Sequence, residues 1–238
     1  INGGVISVVA DANLGAASSV EINTATLTIG GTGTFSSSKN FTINGAATIN
    51  NTNTANVSTF SGNFTNGANL LTVPGSGNTT ISGVIGSGGG GLTKDGTGTL
   101  TLSNTNTYTG ATTIDAGATL KLGSATAISN SSALVVNGTF DLAGYSEIVG
   151  SLAGANTGLI TSSASGTPVL TAGGDNSTTT YAGLIQNGSA TSVALVKAGS
   201  GQLTLSAANT YSGGTTINGG TLFGGAASLT TTVFGSGA

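Results

Sequence analysis

Apolar and polar residues alternate with a period of two along most of this chain. Leu100-Thr101-Leu102, Leu203-Thr204-Leu205 and Leu120-Lys121-Leu122 show it most plainly, as do Thr26-Leu27-Thr28-Ile29, Phe41-Thr42-Ile43 and Thr139-Phe140-Asp141-Leu142. Each is a short strand with one buried and one solvated face. No stretch carries the i, i+3, i+4 spacing of a capped helix. The best candidate for a single helical turn is residues 12–17. Between the strands stand turn signals, with Asn-Gly at 2–3, 44–45, 66–67, 137–138, 187–188 and 218–219. Both residues tolerate a positive φ.

Many short strands build a sandwich, a barrel or a solenoid, and Asn-Gly taken alone favours hairpins. A long internal repeat favours the solenoid. Residues 92–114 read LTKDGTGTLTLSNTNTYTGATTI and residues 195–217 read LVKAGSGQLTLSAANTYSGGTTI, identical at 15 of 23 positions. Upstream, ISGVI at 81–85 matches YAGLI at 181–185, and INGGVI at 1–6 matches INGGTL at 217–222. The offset of 103 residues divides into five coils of roughly 20–21 residues, a usual length for stacked repeats. Scarce charge agrees, because stacking hides sheet edges that charge would otherwise protect. Abundant Asn and Thr agree too, since stacked coils let like side chains form ladders. The expectation is one all-β solenoid over 1–238, with roughly ten to eleven coils of about 20–24 residues. Full motifs occupy 92–122 and 195–222, and a partial tail occupies 1–6. Leu100, Leu102, Ile114, Leu120, Leu122, Leu203, Leu205, Ile217 and Leu222 should point inward, and the two copies should be related by a five-coil translation.

Composition supports order and removes most chemistry. The 238 residues include 42 Gly, 42 Thr, 29 Ser and 22 Asn. Hydrophobic residues are still 37%, too many for a disordered chain. Cys, His, Met, Trp and Arg are absent. That excludes a Cys/His zinc site, a His-dependent nucleophile and a disulfide framework. A net charge of −3 with four Lys argues against a nucleic-acid surface. No apolar run is long enough to span a bilayer as a helix. We expect no cofactor and no metal.

The motif residues Leu92, Lys94, Gly96, Gly98, Leu100, Leu102, Asn106, Tyr108, Gly110 and Ile114 recur as Leu195, Lys197, Gly199, Gly201, Leu203, Leu205, Asn209, Tyr211, Gly213 and Ile217. This pattern resembles the autotransporter-associated β-strand repeat of bacterial autotransporter passengers. The resemblance implies a right-handed parallel β-helix at a bacterial outer surface or outside the cell. The missing Cys suits export through an outer membrane. No membrane barrel of amphipathic strands is visible in this chain.

Carboxylates are the remaining candidates for catalysis: Asp11, Glu21, Asp95, Asp115, Asp141, Glu147 and Asp175. Glycan cleavage needs two of them close together, and Asp95 and Asp115 are spaced to stack one coil apart. The bland alternative is a solvated turn residue at each position. The run GSGGGG at 86–91 lacks the Gly-Lys-Ser/Thr ending of a phosphate loop, because Asp95 follows Lys94. Tyr108 and Tyr211 read as core-closing residues whose hydroxyls reach solvent or backbone. Lys94 and Lys197 read as solvated charges that blunt sheet pairing. The leading function is a structural or adhesive solenoid segment of a surface or extracellular fibre protein, with head-to-tail filament assembly as its bolder form. The alternatives are a glycan-binding or glycan-cleaving β-helix and a passive passenger stalk. Expected partners are a second copy stacked end to end or the rest of a longer chain, with host or environmental glycans as candidates. Nucleic acid and membrane insertion are not expected.

Overall fold

A computed structural model of the chain describes residues 1–86 and 88–225. Every strand pair in it is parallel. Partners lie one coil apart, and the coil is shortest at Ala133↔Ser151 and longest at Gly154↔Tyr181, a wider spread than the sequence suggests. The chain winds through three faces about ten times. The first face starts at Val5–Val8 and stacks Thr26–Ile29, Ala47–Asn51, Leu71–Val73, Leu92–Lys94, Thr112–Ile114, Ala133–Val136 and Ser151–Ala153. It continues through the Gly154–Tyr181 bridge into Thr179–Tyr181, Gln202–Leu205 and Thr221–Gly224. The second face runs from Ser36–Ser37 through Ser58–Phe60, Thr79–Ile81, Thr99–Leu102, Thr119–Leu122, Thr139–Asp141 and Leu159–Thr161 to Leu184–Ile185. The third face carries Ser19–Ile22, Asn40–Ile43, Phe64–Thr65 and Ile85–Gly86 near the start of the stack. Toward its far end it carries Glu147–Val149, Val169–Ala172, Ala194–Lys197 and Thr215–Ile217. A 3-10 turn at Asp11–Leu14 is the one short helical element among the described residues, overlapping the candidate turn.

Period-two alternation becomes an apolar core running along the axis. Leu100, Leu102, Ile114, Leu120, Leu122, Leu203 and Leu205 are buried as expected. Near the start, Phe41 stacks on Phe64 at 4.8 Å and 11°, Phe60 meets both edge-on, and Phe35 lies tilted against Phe60. Two inward-facing positions at the other end are left uncovered. Ile217 pairs with inward-facing Lys197 yet is 54% exposed, and Leu222 pairs with Leu203 yet is only half-buried. No described coil stacks beyond them.

Asn-Gly marks corners between faces, not hairpins, because the neighbouring strands are parallel. Gly67 has a φ of 54° at its corner. Gly138 is required for a different reason: a Cβ there would lie 2.3 Å from the carbonyl oxygen of Asp115.

The five-coil translation is wrong. Leu92–Lys94 lies on the first face and its counterpart Ala194–Lys197 on the third. Thr99–Leu102 lies on the second face, whereas Gln202–Leu205 lies on the first. The copies are therefore four coils and two further faces apart. The 81–85 and 181–185 segments shift in the same sense, since Ile81 is on the second face and Tyr181 on the first. The motif specifies a strand, a corner and a strand, and three similar corners leave it free to begin on any face.

Candidate functional site

The repeated motif spends its polar side chains inside the solenoid. Lys94 is 2% exposed and Lys197 0%, so neither is a solvated charge. Lys94 shares the inward side with Leu92, because side chains two apart in a strand face the same way. Its Nζ turns back to donate to the carbonyls of Asp95 and Gly96, and Lys197 Nζ donates to those of Ala198, Gly199 and Gly219. Burial pulls Lys94 down to about 8, partly opposed by the nearby Asp95 charge, and lowers Lys197 as well. The turn between Lys94 and Thr99 lies against the one beneath it: a Cβ on Gly96 would sit 2.6 Å from Gly75 N. Asn106 takes the place of a strand on the third face. Its Oδ1 accepts from Ile85 N at 2.7 Å and its Nδ2 donates to Ala127 O at 2.6 Å. Tyr108 is fully buried, and its hydroxyl meets Thr112 Oγ1 at 2.8 Å, not solvent or backbone. From Thr112 the hydroxyl chain continues through Ser132 to the Gly110 carbonyl. Tyr211 and Thr215 repeat the contact at 2.7 Å.

The carboxylates are dispersed. Asp95 and Asp115 do occupy stacked turns, since Lys94 pairs with Ile114, but Asp95 is exposed and Asp115 half-buried at the surface. Asp95 accepts from its neighbour Gly96 N. Asp11 pairs with Lys39 at 3.7 Å, and Asp175 accepts from Ser177 N. Glu21 lies exposed on the third face. Glu147 is buried, and burial pushes it up to about 7 despite donations from Ile128 N and Ile148 N. Among the described residues no three acidic side chains form a metal-binding group. A surface groove of about 290 Å³ lies on the second face. Asn78 and Thr99 line one side, Thr80, Thr101 and Lys121 the other, and Val57 stands at one end.

A comparison with known proteins adds the decisive observation: the Passenger-associated-transport-repeat pattern matches residues 92–122 and 195–222. The chain carries two passenger-associated repeats. It is also 34% identical over 222 residues, 91% of its length, to the adhesin BmaC autotransporter of Brucella suis biovar 1 (strain 1330). It spans only 6% of that protein. No solved structure shows a significant match.

Glycines of the two matched stretches have a steric role. Gly98 and Gly201 are needed because a Cβ on either would lie 2.2 Å from a carbonyl oxygen of the adjoining coil. The groove is the feature that reading single residues missed. Each side draws on successive strands, and only the register brings Thr80, Thr101 and Lys121 into one file. The signal available in the sequence was the outward parity of Thr101 and Lys121 between inward leucines.

Proposed function

We propose that this chain is a structural and adhesive segment of an autotransporter passenger, standing at or beyond the bacterial outer surface. The observation that carries the reading is the use of the motif: its Asn and Gly join coil to coil, and its Lys and Tyr tie up the corners, within a continuous stack. The similarity to an adhesin autotransporter supports the same reading. A stack of this kind transmits load along its axis and offers three long faces for contact. Dispersed carboxylates favour a binding role over glycan cleavage, which needs an acid and a second carboxylate near one bond. The test is display of residues 1–238 on a non-adherent bacterium, followed by counting of cells bound to host-cell layers and to purified matrix. Increased attachment supports the reading, and attachment equal to that of the empty display strain overturns its adhesive half.

The two edges of the described stack carry a second reading, contact with further coils of the same kind, from a longer chain or a second copy. Ile6 and Ile217 pair with inward-facing Leu27 and Lys197 yet remain 39% and 54% exposed. Adding a coil would cover both and satisfy open strand groups. Concentration-dependent sedimentation supports the second-copy form, and a monomer at high concentration with ordered, uncovered end coils removes it.

A further inference from the structure

We propose that the groove on the second face seats an extended, uncharged polysaccharide lying along the solenoid axis. The proposal rests on the adhesive reading above and deepens it by naming the ligand class.

Register makes the groove periodic. One file runs Thr59, Thr80, Thr101, Lys121 and Asp141, each paired with the next across adjacent coils. A second file, two residues earlier in each strand, includes Thr99, Thr119 and Thr139. Hydroxyls recur over three successive coils in each row, at Thr59, Thr80 and Thr101 in one and at Thr99, Thr119 and Thr139 in the other, about 4.8 Å apart along the axis in rows about 6.6 Å apart. One pyranose ring in an extended β-linked chain advances by a similar distance, so such a chain keeps step with the coils. The Thr methyls and Val57 offer apolar contact for the C–H faces of the rings. The Thr hydroxyls both donate and accept, as sugar hydroxyls do.

Lys121 fixes one end. The other three lysines are buried, which leaves its ammonium as the lysine charge open to solvent. It is held in place by Ser163 Oγ at 3.0 Å and by Asp141 Oδ2 at 3.7 Å. Asp141 is itself fixed, because its Oδ1 accepts from Ala143 N and Ser163 N. Asp141 is buried and balances the charge, so the pair leaves the Lys121 ammonium as an exposed donor with no net charge, suited to the hydroxyls of a neutral chain. A polyanion would find the lysine already neutralised and a chain of net charge −3 around it. A peptide strand would need a free sheet edge, and these files run down the middle of a paired sheet.

The experiment is calorimetric titration of the 238-residue chain with cello-oligosaccharides of two to six rings, xylohexaose, maltohexaose and polygalacturonate. We expect affinity for the β-linked series to rise with each ring up to about four and then level off, following the coils that line the groove. Thr101→Val and Lys121→Met should each weaken cellohexaose binding at least tenfold. Thr72→Val removes an outward hydroxyl from the first face and should change binding less than twofold. Circular dichroism identifies any variant that fails to fold. In that case Thr101→Ser, which keeps the hydroxyl, and Thr80→Val take its place. The proposal is overturned by absent binding to every neutral oligosaccharide, by preference for polygalacturonate, or by equal losses in Thr72→Val and Thr101→Val. Attachment of displaying cells without oligosaccharide binding overturns this inference alone and leaves the adhesive reading standing.

Discussion

The two motif copies share most of their residues but lie on different faces and at different depths in the stack. Much of their local hydrogen bonding is nonetheless shared, although Asn106 Nδ2 donates to Ala127 O in the next coil and Asn209 Nδ2 to Ala207 O in its own turn. Lys94 and Lys197 each fold back on the next two carbonyls, and Tyr108 and Tyr211 each meet the Thr four residues on. Asn106 and Asn209 each accept from an isoleucine N–H of the preceding coil, at 2.7 and 2.8 Å. The outer environment differs. Ile114 is 0% exposed beneath Val136, whereas Ile217 is 54% exposed. The motif therefore carries its own corner geometry, and its position in the stack decides how much stability that geometry contributes. In a solenoid each coil contacts only its neighbours, so a coil flanked on both sides contributes two interfaces.

The largest expected contrast comes from the corner glycines. Valine at Gly98 or Gly201 cannot fit, because its Cβ would meet a carbonyl oxygen at 2.2 Å in either copy. Gly98→Val splits the stack at its middle and should cost more than about 4 kcal/mol. Gly201→Val should open only the last coils and leave the main transition in place. Urea unfolding combined with limited proteolysis reads both. Cleavage confined to residues 195–225 in Gly201→Val is expected, and the same global loss in both variants would refute neighbour-only coupling.

Burial separates the copies next. Ile114→Ala empties a filled core position and should cost about 3–4 kcal/mol. Ile217→Ala removes side-chain area that is half in water already and should cost less than about 1 kcal/mol. If the two losses match, Ile217 is covered in solution, which would favour end-to-end contact.

These contrasts also show what the sequence conveys. Alternation at Leu100-Thr101-Leu102 placed the core side chains correctly, since parity is a local property. The same parity placed Lys94 beside Leu92 on the inward side, but its charge argued for solvent. Burial is possible because the long side chain reaches carbonyls freed at the corner, and no spacing in the sequence reports those. The copy-to-copy offset misled for another reason. Coil length differs widely between the Ala133↔Ser151 and Gly154↔Tyr181 pairings, so dividing the offset by a mean length cannot fix the face. The groove was hidden similarly, since Thr80 and Thr101 become neighbours only through register.

The buried lysines give the stack an unusual alkaline response. Lys94 is held near 8 by burial, against 10.5 when unfolded. Between those values the unfolded chain keeps a proton that the folded chain has lost, so stability rises with pH. The gain from pH 7.5 to 9.5 should be about 1–2 kcal/mol from Lys94. Lys197 is shifted the same way. Above pH 10 the trend reverses, because burial raises Tyr108, Tyr181 and Tyr211 and the unfolded chain ionises them first. Urea midpoints at the two pH values test this. Lys94→Met should lose most of the rise in the main transition and Lys197→Met little of it. A wild-type midpoint that is flat or falls with pH would exclude the buried ammonium.

The smallest expected effect bears most directly on the claim that the motif is self-contained. Tyr108→Phe and Tyr211→Phe each remove one hydroxyl from a buried Tyr–Thr contact and leave the ring in place. Each should cost about 1 kcal/mol, the net value of such a hydrogen bond. Global unfolding would hide the second, because the end coils open before the stack does. Amide exchange at residues 106–114 and 209–217 reads each opening locally. The two costs should agree within about 0.5 kcal/mol, the scatter expected of independent sites. That should hold even though one copy sits mid-stack and the other at its edge. A Tyr108 cost several times that of Tyr211 would mean that the hydroxyl chain through Thr112 and Ser132 to Gly110 acts as an inter-coil tie. The motif would then draw its shape from its neighbours, and its free choice of face would need another cause.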